Sequence, residues 1–144
     1  MDRRIFAWAA DVAILLVGGT VTLFICSFFA YAFRDTTGLL EHSLFLGAVA
    51  VVAVVWGVLL GLLDTAILAS GFRVGLTFGL LASAAVHLAA VAVGTVILLF
   101  LEQHGSVTAD QPNAPFLALV VVCGALATAC VLTASRVARP TLSS

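Results

Sequence analysis

Three ionisable residues stand inside stretches of the sequence that are otherwise apolar: Asp11, Asp64 and His87. A carboxylate near the centre of a lipid bilayer costs at least about 2.5–3.5 kcal/mol, so such a position needs a structural or functional reason. Two carboxyl groups in one confined site can share a proton or hold a cation. A histidine can accept a proton near neutral pH. With Arg4 and Arg73, which flank the two aspartates, these residues form the candidate ionisable site.

Each of these residues also has a purely structural interpretation. Arg4 precedes Asp11 by seven residues, so the two share one face of a helix, and Arg73 follows the apolar stretch that contains Asp64. An aspartate near the membrane surface can pair with such an arginine and fix the position of its helix. His87 can be a neutral core residue, hydrogen-bonded to a hydroxyl or a carbonyl group. From the sequence, both interpretations stay open.

The apolar stretches are the elements that must position these groups. Of the 144 residues, 63% are hydrophobic and 9% are charged, whereas a soluble domain has about 45–50% and about 25%. A soluble protein of this size would leave roughly a third of its unfolded surface exposed to water. We therefore expect lipid to surround the chain. The net charge of −1 gives no basic surplus for binding nucleic acid.

Four stretches reach the length of about 20 residues that a membrane-spanning helix needs. They cover residues 7–33, 44–69, 74–101 and 116–135. Because unpaired backbone groups cannot face lipid, each stretch should be helical throughout. The predicted fold is all-α: a polytopic membrane protein in which residues 1–144 form one domain, a bundle of four transmembrane helices.

The arginines predict the orientation, because cytosolic segments of membrane proteins are enriched in basic residues. With both termini in the cytosol, five of the six arginines are cytosolic. Those five are Arg3, Arg4, Arg73, Arg136 and Arg139, and Arg34 is outside. Asp11 and Asp64 then lie at similar depths near the cytosolic face. The absence of lysine, with many Ala, Val, Gly and Leu residues, suggests a bacterial genome rich in G and C, and hence the bacterial plasma membrane.

Glycines indicate where helices come close together. Gly57 and Gly61 form a G-x-x-x-G step in the second stretch, and Gly71, Gly75 and Gly79 repeat the spacing across the next turn and the start of the third. Such surfaces allow helix backbones to approach closely. They predict either packing inside the bundle or a dimer interface.

The segment RRIFAWAAD, residues 3–11, resembles the opening of RDD-family membrane proteins. That family takes its name from an arginine before the first helix and aspartates in the first two helices. The resemblance covers roughly residues 3–80 and implies roles for Arg4 (or Arg3), Asp11 and Asp64. Cation or proton exchange has been suggested for some members of the family.

The segment GFRVG, residues 71–75, is similar to the glycine-containing loop that follows the second helix in the RDD family. The family usually has Ser or Thr between the glycines and Lys after the second one. This chain has Arg73 and Leu76 at those places. The chain would therefore be a divergent member.

No metal-binding, phosphate-binding or nucleophile-elbow motif occurs in the sequence. Ser83 and His87, four residues apart, form the one nucleophile–base pair within the spans. We expect no enzyme activity, no cofactor and no metal. The predicted role is a structural or accessory membrane component, in contact with the bilayer and with a membrane-protein partner or further copies of itself. The alternative is a cation or proton transporter that uses the intramembrane aspartates.

Overall fold

The computed structural model describes most of the chain, as four long helices. It describes residues 2–32, 39–68, 71–103 and 114–138, and side chains within 2–29, 43–68, 71–100 and 117–137. The helices are α1 (Arg3–Ala32), α2 (Leu39–Leu68), α3 (Phe72–Gln103) and α4 (Ala114–Ala138).

Each of the four helices contains a segment long and apolar enough to cross a membrane. The spans run over Arg3–Phe29, Ser43–Leu68, Phe72–Phe100 and Leu117–Val137. The described part of the chain therefore has the all-α architecture that the sequence predicts, and the prediction of a four-helix membrane bundle is confirmed.

The helices extend beyond the predicted apolar stretches. Helix α1 begins at Arg3 rather than at residue 7, because Asp2 caps it: Oδ1 of Asp2 accepts a hydrogen bond from the N–H of Arg4 at 3.1 Å. At the start of α3, the carbonyl of Gly71 accepts hydrogen bonds from the N–H groups three and four residues later. Helical hydrogen bonding thus continues into the polar flanks, where the apolar pattern has already ended.

Helix α3 lies at the centre of the bundle and contacts the other three helices. In an apolar 18-residue segment of α3, 44% of the residues are buried, compared with 17–22% in the corresponding segments of the other helices. Helices α1 and α2 also contact each other, whereas in the described residues α4 packs against α3 alone. The bundle therefore consists of a three-helix unit, α1–α2–α3, with α4 added on one side of α3.

Close contacts give the helix directions. A Cβ at Gly57 would lie 2.9 Å from the Cα of Leu80, and one at Gly61 would lie 2.7 Å from the Cα of Leu76, so α2 and α3 are antiparallel. Helices α1 and α2 are antiparallel too, with the rings of Phe29 and Phe45 5.6 Å apart at one end. Consequently α1 and α3 run parallel.

An apolar cluster fills the half of the bundle toward that Phe29–Phe45 end. Each helix contributes one buried residue to it: Cys26, Val49, Val91 and Cys123. The cysteines at 26, 123 and 130 are free thiols. Thr95 lies at the level of this cluster, next to Gly94, whereas the other buried polar residues lie in the middle of the bundle and toward the opposite end, where α1 begins.

Candidate functional site

One face of α1 carries the residues that enter the interior. Ala7, Gly18, Thr22 and Cys26 are buried, and Asp11 is half-buried on the same face. Their spacing of four or seven residues matches the helical repeat of 3.6. This face therefore brings two polar side chains, Asp11 and Thr22, into the bundle.

The structure brings Asp11 and Asp64 together. Asp64 is only 9% exposed, and one carboxylate oxygen of Asp11, Oδ1, is buried without a hydrogen-bond partner in the described part of the chain. The contacts Ile14–Trp56 and Phe29–Phe45 give the register of antiparallel α1 and α2, which sets Asp11 and Asp64 at nearly the same height. Buried apolar residues lie one turn away on each helix, Ala7 on α1 and Leu60 on α2. The site is thus a pair of partly or fully buried carboxyl groups at one end of the bundle.

Arg4 and Arg73 lie on the surface at the end of the bundle where the two carboxyl groups are found. Both side chains are exposed, as is that of Arg136 at the end of α4. Arg3 is exposed at the start of α1, and the remaining two arginines of the orientation argument, Arg34 and Arg139, lie outside the described residues. Pairing of an aspartate with Arg4 or Arg73 stays a prediction.

Trp56 joins α2 to α1 beside the carboxyl pair. Its indole Nε1 donates a hydrogen bond of 2.8 Å to the backbone carbonyl of Ile14. A Cβ at Gly18 would overlap the indole ring, so this glycine makes room for the tryptophan. In the sequence, Trp56 is in the middle of the second apolar stretch, and the apolar pattern around it does not indicate its partner. The glycine pair in α1, Gly18 and Gly19, was the available signal that a large side chain approaches there.

Ser83 and His87 connect α3 to α2 in the middle of the bundle. Ser83 is 0% and His87 1% exposed. Oγ of Ser83 donates a hydrogen bond of 2.6 Å to the carbonyl of Ala53. Nδ1 of His87 lies 2.7 Å from the carbonyl oxygen of Ser83. Because a carbonyl only accepts, Nδ1 carries a hydrogen, and in the tautomer with a single ring hydrogen Nε2 is an acceptor.

This arrangement differs from that of an activated serine. The hydroxyl hydrogen of Ser83 is directed to Ala53, and Nδ1 of His87, at 3.3 Å from the hydroxyl oxygen, also carries a hydrogen. A general base needs a free nitrogen lone pair facing the nucleophile. The pair therefore serves as a hydrogen-bonded link between helices in this structure.

Hydroxyl groups on α1 fall into two classes that the sequence does not distinguish. Thr20 and Ser27 are exposed, and each donates to the carbonyl four residues earlier, at 2.8 Å and 3.0 Å. Thr22 is 0% exposed, and its Oγ1 has no hydrogen-bond partner among the described residues. Thr95 on α3 is buried as well and donates to the carbonyl of Val91. Thr22 and Thr95 therefore belong to the interior with His87.

The glycines bring α2 and α3 into backbone contact. A Cβ at Gly79 would lie 2.5 Å from the carbonyl oxygen of Gly57 and 2.8 Å from the Cα of Gly61. A Cβ at Gly61 would lie 3.0 Å from the carbonyl oxygen of Gly75. Four of the five predicted packing glycines thus lie at this contact inside the bundle. Gly71 does not, since within the described residues a Cβ there would have no heavy atom within 4 Å.

Metal-ligating side chains are not grouped in the described part of the chain, where no cluster of three His, Cys, Asp or Glu residues could hold a metal ion. Compared with protein-family models, curated proteins and solved structures, the chain matches none of them. Membership of the RDD family therefore stays a prediction, based on residues 3–80.

Proposed function

We propose that this protein is a small multi-pass membrane protein that binds and exchanges a proton, or a monovalent cation, through Asp11 and Asp64. The observation that carries the proposal is that two carboxyl groups, Asp11 with a buried oxygen and the buried Asp64, lie at nearly the same height on adjoining antiparallel helices. Two negative charges held close together in a medium of low dielectric constant repel each other strongly. A shared proton or a bound cation removes that repulsion.

The position of the pair suits exchange with one aqueous side. Asp11 is eight residues from the start of α1, and Asp64 is four residues from the end of α2. At 1.5 Å per residue these separations are about 12 Å and 6 Å along the helix axes. The carboxyl groups are therefore inside the helical bundle and yet near one of its ends. With the orientation that the arginines predict, this end faces the cytosol of a bacterium, and the protein belongs to the plasma membrane.

Further polar groups continue from the pair into the middle of the bundle. Ser83 and His87 on α3, Thr22 on α1 and Thr95 farther along α3 are all buried. They would supply hydrogen-bonding groups to a proton that moves beyond the carboxyl pair. This interior series is what favours exchange over a passive role for the aspartates.

Reconstitution into liposomes tests the proposal. We expect the wild-type protein to dissipate an imposed pH gradient, or a sodium or potassium gradient, faster than empty liposomes do. Asp11→Asn and Asp64→Asn each remove one ionisable group with little change of shape, so both should reduce the flux to the level of empty liposomes. Full flux in both variants would exclude the carboxyl pair from the mechanism.

Asp2→Asn is the matched control for these variants. Asp2 is exposed at the same end of the bundle, and its side chain caps α1. Asparagine caps helices about as well as aspartate. This variant should therefore lose a carboxylate without losing flux.

A second candidate function, a structural or accessory component of a membrane complex, is favoured by the packing of α4. In the described residues α4 contacts α3 alone, and a Cβ at Gly124 on α4 or at Gly47 on α2 would meet no described heavy atom within 4 Å. These open glycine positions suit another membrane helix, from a partner protein or a second copy of this chain.

Mass measurement in the native membrane tests the second candidate. After extraction in lipid nanodiscs, an accessory subunit should run in a particle of defined protein mass well above 14.8 kDa. Gly124→Leu or Gly47→Leu should break that particle, whereas Val121→Leu, at an exposed apolar position of α4, should not. A protein mass equal to one chain in all preparations would exclude the accessory role.

A further inference from the structure

Two polar atoms in the middle of the bundle have no hydrogen-bond partner among the described residues: Oγ1 of Thr22 on α1 and Nε2 of His87 on α3. Thr22 is 0% and His87 1% exposed. Buried polar atoms in proteins are nearly always hydrogen-bonded, either to protein or to an ordered water molecule. Two unpaired atoms in one interior therefore need a common explanation.

The two side chains lie on facing sides of α1 and α3, at nearly the same height. A Cβ at Gly19 would lie 3.2 Å from Cγ1 of Val86, which pairs these two positions across the helix contact. Thr22 is three residues beyond Gly19, and His87 is one residue beyond Val86. Because α1 and α3 run parallel, the Cα atoms of Thr22 and His87 differ in height by about 3 Å at 1.5 Å per residue.

The hydroxyl of Thr22 is an exception among the described threonines of the spanning helices. Thr20, Ser27 and Thr95 each donate to a carbonyl of their own helix four residues earlier. Thr22 does not make this bond. A threonine hydroxyl that does not donate to a carbonyl of its own helix can donate to another partner in the interior.

The imidazole of His87 presents a defined acceptor to the same space. Nδ1 carries the ring hydrogen, because it faces the carbonyl of Ser83 at 2.7 Å. Nε2 therefore needs a donor. Thr22 is a donor and an acceptor, yet the two atoms are not within hydrogen-bond distance of each other. The missing partner must donate to a nitrogen and also bind a hydroxyl.

We propose that a buried water molecule binds between Thr22 and His87 and bridges the hydroxyl to Nε2 of the imidazole. Water meets both requirements, since it donates one hydrogen to Nε2 and accepts the hydroxyl hydrogen of Thr22 on its oxygen. Both protein atoms are closed to solvent in this structure, so α1 moves slightly outward to admit the molecule. Helix α1 can do so more easily than α2, whose backbone touches that of α3 at the glycines.

Solid-state NMR of the full-length protein in lipid bilayers tests this site. The chain has three histidines, His42, His87 and His104, so ¹⁵N-histidine labelling gives three rings, and His87→Gln assigns the one in question. We expect magnetisation to pass from water to the ring of His87, and the Nε2 chemical shift to be that of a hydrogen-bonded acceptor.

Three substitutions on α1 make the test specific. Thr22→Val removes the hydroxyl at nearly constant shape, so water transfer to His87 should fall several-fold and the Nε2 shift should move to that of a free acceptor. Thr22→Ser keeps the hydroxyl and should preserve both signals. Thr20→Val, two residues away on the exposed face, should change neither.

Two outcomes would overturn the proposal. The first is a His87 ring without magnetisation transfer from water in the wild-type protein. The second is an Nε2 shift that responds to Thr22→Val while water transfer is absent, because the hydroxyl and the ring would then bond directly. The site is separate from the carboxyl pair, so the water signal should persist in the Asp11→Asn, Asp64→Asn double variant even if ion exchange is never detected.

Discussion

Replacing Gly79 by alanine tests the closest contact in the bundle. The new Cβ would lie 2.5 Å from the carbonyl oxygen of Gly57 and 2.8 Å from the Cα of Gly61, and it would overlap the backbone nitrogen of Gly61. All three atoms belong to the backbone of α2. Because no side chain can rotate out of the way, the two helices must move apart.

The structure sets the size of the effect. Ordinary van der Waals contact begins at 3.4 Å, so α2 and α3 must separate by about 0.9 Å at this point. Overpacking of a well-packed interior costs about 1–3 kcal/mol, and packing of this kind is the main force that associates helices in lipid. A loss of about 2 kcal/mol lowers the ratio of folded to unfolded protein about 30-fold. Gly57→Ala, whose Cβ would lie 2.9 Å from Leu80, should cost less.

Reversible unfolding in mixed micelles, followed by circular dichroism, measures this loss as a change in the free energy of unfolding. Gly124→Ala on α4 is the matched control, because its Cβ would meet no described heavy atom within 4 Å. Alanine is also the better helix former, so the control should be neutral or slightly stabilising. If the stabilities of Gly79→Ala and Gly124→Ala agree within about 0.5 kcal/mol, the size of an ordinary surface effect, the glycine contact does not hold α2 and α3 together.

Two further predictions concern the attachment of α1. Trp56→Phe removes the hydrogen bond to the carbonyl of Ile14. We expect a loss of about 0.6–1.7 kcal/mol in the free energy of unfolding, as for other hydrogen bonds between membrane helices. Unchanged stability would show that the bond contributes nothing. Gly94→Cys places a Cβ 3.3 Å from that of Cys26, near the range of about 3.5–4.5 Å in natural disulfides, so mild oxidation should join α1 to α3. Mass spectrometry after thiol labelling detects the cross-link, and Gly47→Cys, at an open position, should give none.

The number and order of the helices could be predicted because the thickness of the membrane sets the length of an apolar stretch that can span it. A span needs about 20 apolar residues, and the sequence contains four such stretches. The helix ends could not be predicted in the same way. The backbone hydrogen bonds of a helix form with polar and apolar residues alike. Helix α1 therefore starts at Arg3, where Asp2 caps it, and α4 continues to Ala138.

The depth of the two aspartates could also be derived, since antiparallel helices with a known rise per residue place Asp11 and Asp64 near the same membrane face. Their facing orientation could not. Apolar residues cover every side of these helices, so hydrophobic periodicity does not indicate which side turns inward. Thr20 and Thr22 show the difficulty, because two identical residues in one helix have opposite environments.

A weaker signal for the rotation of α1 was nevertheless present in the sequence. Its buried face combines small and polar residues at helical spacing, Ala7, Asp11, Gly18, Thr22 and Cys26. In a membrane protein, small and polar residues rather than large apolar ones mark the face that packs against other helices. If Asp11 is considered together with the small residues on its face of α1, Thr22 becomes part of the candidate site.

The polar groups of the interior are divided between two parts of the bundle. Asp64 and His87 lie on α2 and α3, whose backbones touch and cannot slide or separate without losing that contact. Asp11 and Thr22 lie on α1, which is held by the Trp56 hydrogen bond and by side-chain contacts. In the described residues the backbone of α4 comes close to that of α3 but not to those of α1 and α2. Each polar pair therefore spans the boundary between α1 and the two helices α2 and α3, so a movement of α1 would change the separation within both pairs.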